Sequence, residues 1–146
     1  MSMKKIFTKL LVLLVVVASG MVLTGCEKNN QKNLIGRWKL VSNDVEYKNG
    51  GDVEKHTVPL QYSMIWEFTA DGTAIQTMEE EGEIDTNTAS YTFANNIITT
   101  NDDGDVVQMV VKELTSKKLV VERSESEIED GIRYTITTTL TFEKMN

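Results

Sequence analysis

The sequence predicts an all-β fold, an eight-stranded antiparallel up-and-down β-barrel. Three observations carry that expectation. From Leu34 onward apolar and polar residues alternate with a period of two, and no helical period emerges. Between the alternating runs sit Asp71-Gly72, Asn95-Asn96, Asp103-Gly104, Ser116-Lys117 and Asp130-Gly131. Asn, Asp and Gly there supply the positive φ that tight hairpin turns demand. The connections are short, so successive strands should be neighbours, and eight antiparallel strands lose their free edges by closing on themselves.

The chain opens with a different kind of segment. Lys4, Lys5 and Lys9 lead into an apolar run from Leu10 to Ala18, then small residues and Leu23-Thr24-Gly25-Cys26. The apolar run is too short for a membrane span, which needs ~20 residues, and the pattern is that of a secretory signal. Residues 1–25 are therefore expected to be a signal peptide, and residues 26–33, polar apart from Cys26, a tether; the resemblance of Leu23-Thr24-Gly25-Cys26 to the bacterial lipobox implies a lipoprotein signal and a lipidated tether. Cys26 is the only cysteine, so no disulfide can form within the chain. Residues 34–146 are the expected barrel domain.

Strands are expected at about residues 35–43, 62–70, 73–80, 88–94, 96–101, 105–114, 118–125 and 131–144. In the first, Gly36, Trp38 and Leu40 share a face; in the second, Met64, Trp66 and Phe68 do. Val107, Met109 and Val111 align in the sixth, and Leu119, Val121 and Arg123 in the seventh. The last strand sets Ile132, Tyr134, Ile136, Thr138, Leu140 and Phe142 against a row of threonines. The register after Asp71-Gly72 depends on the turn. A three-residue loop bulged at Gly72 puts Ala74, Gln76 and Met78 on the Trp66 face, and is preferred; a two-residue turn reverses the strand. Residues 44–61 hold Gly50-Gly51, the only proline (Pro59) and the only histidine (His56). They read either as a long functional loop or as an extension of the first strand into a small hairpin.

Composition narrows the function. After residue 25 the chain carries 12 basic against 22 acidic side chains, a formal −10. Nucleic-acid binding, which needs a basic footprint, is not expected. The lone His56 allows neither a catalytic triad nor a histidine metal pair. The acids at Glu79-Glu80-Glu81 suit a solvated hairpin tip. Those at Asn101–Asp105 lack the spacing of a calcium loop. No enzymatic activity, cofactor or metal is expected.

The apolar interior is the better candidate. Met64, Trp66, Phe68, Met78, Tyr91, Met109, Arg123 and Tyr134 are candidate ligand-binding residues, with Arg123 able to anchor an acid group if it points inward. Methionine adapts to irregular apolar shapes, and eight strands leave room either for packed side chains or for one small ligand.

Two stretches resemble known families. Leu23-Thr24-Gly25-Cys26 resembles the bacterial lipobox. That resemblance implies acylation of Cys26 and, with Glu27 rather than aspartate next, the outer membrane, on its periplasmic or surface face. Leu34-Ile35-Gly36-Arg37-Trp38-Lys39-Leu40-Val41 resembles the G-x-W motif of lipocalins. The whole of residues 34–144 is similar to small lipocalin-like lipoproteins of Gram-negative bacteria. That resemblance implies a barrel with Gly36 and Trp38 at its floor, residues 44–61 as its lid, and an arginine across the tryptophan. After the last strand the nearest cation here is Lys144. The expected function is a lipid-anchored envelope lipoprotein whose barrel binds a small apolar or amphipathic molecule. The alternative is a filled barrel acting as an accessory module on another envelope protein, whose identity the sequence does not give.

Overall fold

The computed structural model of the protein describes residues 31–146. The expected signal peptide, Cys26 and most of the tether lie outside the described residues. A single helical turn, residues 31–34, precedes nine strands. These are β1 (Gly36–Asn49), β2 (Asp52–Thr57), β3 (Ser63–Phe68), β4 (Thr73–Glu80), β5 (Glu83–Ala94), β6 (Ile97–Asp102), β7 (Asp105–Leu114), β8 (Lys118–Glu129) and β9 (Ile132–Lys144).

Eight of them close a barrel. β1 pairs with β3, each later strand pairs antiparallel with the next, and β9 returns to β1. The closing seam runs from Trp38↔Lys144 to Asn49↔Tyr134, with one register shift between Leu40 and Ser42. The barrel is thus the eight-stranded meander expected from the alternation.

The ninth strand, β2, comes from residues 44–61. Of the two readings of that stretch, the hairpin is the one formed. β1 runs on to Asn49, and β2 folds back along it from Asp44↔Thr57 to Asn49↔Asp52. Both β2 and β3 lie antiparallel along one edge of β1, β3 beside Gly36–Lys39 and β2 beside Asp44–Asn49. They are two halves of one interrupted strand, broken at residues 58–62, where Pro59 can donate no ladder hydrogen bond. Thr57 Oγ1 donates to Asp44 Oδ1 at 2.6 Å and Val58 N donates to Asn43 O at 2.8 Å, tying the break to β1. Residues 44–61 therefore continue the wall through β1 and β2, which corrects the expectation of a loop overhanging the barrel.

The turn chemistry is as read. Asn95, Asn96, Asp103 and Asp130 all hold positive φ. Glu81-Gly82 does too, forming a sixth turn and starting β5 at Glu83, five residues before the expected strand. At Asp71-Gly72 the bulged loop is the one formed. Thr69 N donates to Thr73 O at 2.9 Å, and the pairs Met64↔Met78, Trp66↔Gln76 and Phe68↔Ala74 follow. Residues directly opposite across antiparallel strands share a face, so Ala74, Gln76 and Met78 lie on the inner one.

One core fills the end of the barrel where β1 begins and β9 ends. Leu34, Trp38, Phe68, Ile98, Leu119, Val121 and Phe142 are fully buried there. Burying a large apolar side chain is worth about 1.5–3 kcal/mol, so this layer dominates the stability of the domain.

Candidate functional site

The closed end is built around Trp38. Its indole Nε1 donates to Leu34 O at 2.8 Å, which satisfies the one polar atom the ring carries into the core. The helical turn at residues 31–34 thereby becomes a cap, its Leu34 side chain fully buried. Lys144 crosses the other face of the ring, Nζ 4.4 Å from the centroid, and donates to Asn33 O and Ile35 O. Gly36 makes the crossing feasible. Its φ is +129°, and a Cβ there would stand 2.7 Å from Lys144 Cε. The cation that the lipocalin resemblance leads one to expect is thus a lysine, Lys144.

A tier of aromatic rings lies next. Trp66 tilts against Phe142 with centroids 4.4 Å apart, and Phe68 meets Trp66 and Tyr91 edge-on at 6.1 and 5.1 Å. Trp66 Nε1 donates to Gln76 Oε1 at 3.0 Å, across the direct strand pair the bulged turn creates.

Towards the other end the interior is open. A cavity of about 570 Å³ lies inside the barrel. Met64, Trp66, Phe68, Val107, Met109 and Leu140 give its apolar wall. Gln76, Asn87, Thr100 and Thr138 add neutral polar groups, and Asp102, Asp105, Glu125 and Arg123 supply the charges.

Five of the eight candidate residues line this cavity: Met64, Trp66, Phe68, Met109 and Arg123. Met78, Tyr91 and Tyr134 do not. Tyr91 is in the core, its hydroxyl donating to Thr69 O at 2.6 Å, and burial followed by the Asp71 charge raises its pKa. Met78 and Tyr134 have inward parity but sit further along their strands, opposite Asp85 and Asn49 respectively. Arg123 is inward, yet its guanidinium is engaged. Nη2 stands 2.5 Å from Glu125 Oε1, with both side chains more than half exposed.

The preferred register set Gln76 on the inner face, but sequence reasoning did not single out Asn87, Asp102, Asp105 and Glu125 as wall residues. The signal was present: once Trp66 is set inward, Trp66↔Gln76↔Asn87 follow by pairing alone. On β1, Asn43 Oδ1 is buried without a hydrogen-bond partner, beside the wall residue Leu140. Among the described residues no three His, Cys, Asp or Glu side chains are grouped to hold a metal ion.

An antiparallel barrel closed at one end by a cation-capped tryptophan, and hollow at the other, defines a lipocalin-like protein. A family model described as a lipocalin-like domain matches residues 34–121, and the chain belongs to that family. The matched span starts at Leu34 and ends inside β8, whereas the barrel is sealed by β9. No curated protein matches the chain.

Proposed function

We propose that the protein is a lipid-anchored lipoprotein of the cell envelope whose barrel binds a small hydrophobic or amphipathic molecule. The observation that carries this reading is the 570 Å³ cavity. Small-molecule sites typically span about 300–1,000 Å³, with an apolar lining and a few placed polar groups. A barrel filled at the usual interior density holds no such space, so the cavity favours ligand binding over the interaction module. Lipocalin-like domains are typically binding folds rather than enzymes, and no catalytic role is assigned.

The anchoring half of the proposal rests on Leu23-Thr24-Gly25-Cys26 and the polar residues after it. Each buried acyl methylene contributes about 0.8 kcal/mol, so a diacylated Cys26 would hold the domain at the membrane essentially permanently. Glu27 favours the outer membrane.

The test is to titrate purified protein with 1-decanol, a neutral amphiphile, by isothermal calorimetry, alongside Met109→Trp. Saturable one-to-one binding that Met109→Trp abolishes is the expected result. The substitution should change stability little, since it fills a void; in a solid core it would strain the barrel by roughly 1–3 kcal/mol. No saturable binding, together with clear destabilisation by Met109→Trp, would overturn the reading.

A further inference from the structure

We infer that the ligand is a cationic amphiphile, an apolar chain or ring bearing an amine, with the ammonium held between Asp102 and Asp105. The inference rests on the reading that the cavity binds a ligand, and it names the chemistry of that ligand's head.

The charges lining the cavity are three acids, Asp102, Asp105 and Glu125, against one base, Arg123, a net −2. Arg123 is paired with Glu125 at 2.5 Å, so its charge is already offset by a carboxylate of the same wall. Once that pair is set aside, Asp102 and Asp105 are the charges left for a ligand. They face each other directly at the end of the β6–β7 hairpin, on the face that carries Val107 and Met109. Like charges directly opposite on antiparallel strands are destabilising. Among the described residues neither carboxylate forms an ion pair with a lysine, arginine or histidine. A cation between them removes that repulsion, and an ammonium has the donors to hydrogen-bond both.

The surroundings repeat the sign. On the inner face of the neighbouring hairpin, Met78↔Asp85 and Glu80↔Glu83 set three more acids near the same end of the barrel. The residues beyond the signal segment carry a formal −10, a field that draws cations towards the opening. The same carboxylates disfavour a fatty-acid head. Along the wall from the aspartates, Val107, Met109, Trp66 and Phe68 provide the apolar surface for the tail.

Three probes of equal chain length separate the alternatives: decylamine, 1-decanol and decanoate, each titrated into the purified full chain near neutral pH and low salt. One solvent-exposed ion pair supplies up to roughly fivefold in affinity, so two carboxylates should favour decylamine over 1-decanol by about tenfold or more. Decanoate should bind more weakly than 1-decanol. Asp102→Asn with Asp105→Asn should erase the amine preference, so that within that variant decylamine binds no more tightly than 1-decanol. These positions are exposed, so the double variant should fold, and circular dichroism checks it. High salt should shrink the preference in wild type, because exposed charges are screened. If decanoate binds as tightly as decylamine, or if the double variant keeps the amine preference, the inference fails while ligand binding stands. If none of the three binds, the cavity reading fails and takes the inference with it.

Discussion

Lys144 stands over Trp38, the ammonium 4.4 Å from the ring centroid, and the same ammonium donates to the carbonyls of Asn33 and Ile35. One side chain from the end of β9 thus joins the helical turn, the first strand and the floor tryptophan. Burial depresses the Lys144 pKa, and the two carbonyls and the ring face replace part of the water it loses.

Lys144→Met keeps the length and apolar stem of the side chain and removes the charge. Charge-assisted hydrogen bonds are worth about 1.5–3 kcal/mol and a cation–π contact about 0.5–1 kcal/mol or more. The urea midpoint should fall by the equivalent of roughly 2–3 kcal/mol. Lys144→Arg should recover part of it, since a guanidinium also stacks on an indole. A midpoint unchanged in Lys144→Met would make the contact incidental.

Gly36→Ala meets two obstacles, the +129° φ and Lys144 Cε at 2.7 Å. Backbone strain of this kind costs roughly 1–3 kcal/mol, and displacing the lysine adds to it. The two positions are in contact and should therefore couple. Gly36→Ala should cost less in the Lys144→Met background than in wild type, because a neutral side chain can move aside without abandoning a charge. A double-mutant cycle by urea denaturation gives the coupling, and strict additivity would contradict it.

The β3–β4 corner holds two groups, Asp71 and Tyr91, whose titration should contribute to the pH dependence of stability. Thr69, then Thr73, hydrogen-bonds the Asp71 carboxylate and lowers its pKa. A carboxyl depressed in the folded state stabilises above its unfolded pKa, near 4, and that stability fades as pH falls through the folded value. Tyr91 is raised, by burial first and then by the Asp71 charge. Its contribution is whole below about pH 10 and is lost as pH rises through the folded pKa. Thr69→Val should return the Asp71 carboxyl towards its ordinary value in an NMR titration. Tyr91→Phe should flatten the alkaline limb of the stability profile, at a cost of roughly 0.5–1.5 kcal/mol near neutrality for the hydrogen bond to Thr69. An alkaline limb as steep in Tyr91→Phe as in wild type would rule Tyr91 out as its cause.

Cys26→Ser tests the proposed anchor. With the signal segment intact, the variant should not incorporate radioactive palmitate and should partition into the aqueous phase. Its circular dichroism should match that of the wild-type domain, since the described core begins at Leu34. Palmitate labelling that persists in the variant would remove the anchor from the proposal.

What the sequence disclosed follows from what period-two alternation encodes. Parity assigns a face, so the inward direction of Met64, Trp66, Phe68 and Met109 is legible in the sequence. Parity does not assign height along the barrel axis, and that is why Tyr91, Met78 and Tyr134 share the inner face yet miss the cavity. Height depends on register across several strands, fixed here by the Gly72 bulge and the offset at Leu40/Ser42. The hairpin of β1 and β2 stayed ambiguous because β2 is exposed along its whole length, leaving no buried face to impose a pattern. Lys144 was visible only as the nearest cation, since its role depends on a carbonyl cradle assembled from residues far away in the chain.

The seam between β1 and β9 also sets an order of events. Trp38 can be covered by Lys144, and Leu40 can meet Phe142, only after the final strand exists. Contacts of such long sequence separation slow folding, because the intervening chain must be ordered before they form. Until then β1 lacks its longest partner, and Trp38 has no cation across its ring. A chain of this topology cannot close its barrel before β9 is available to pair with β1. Under the proposed export, that dependence would keep the chain unclosed until its last strand had followed the first.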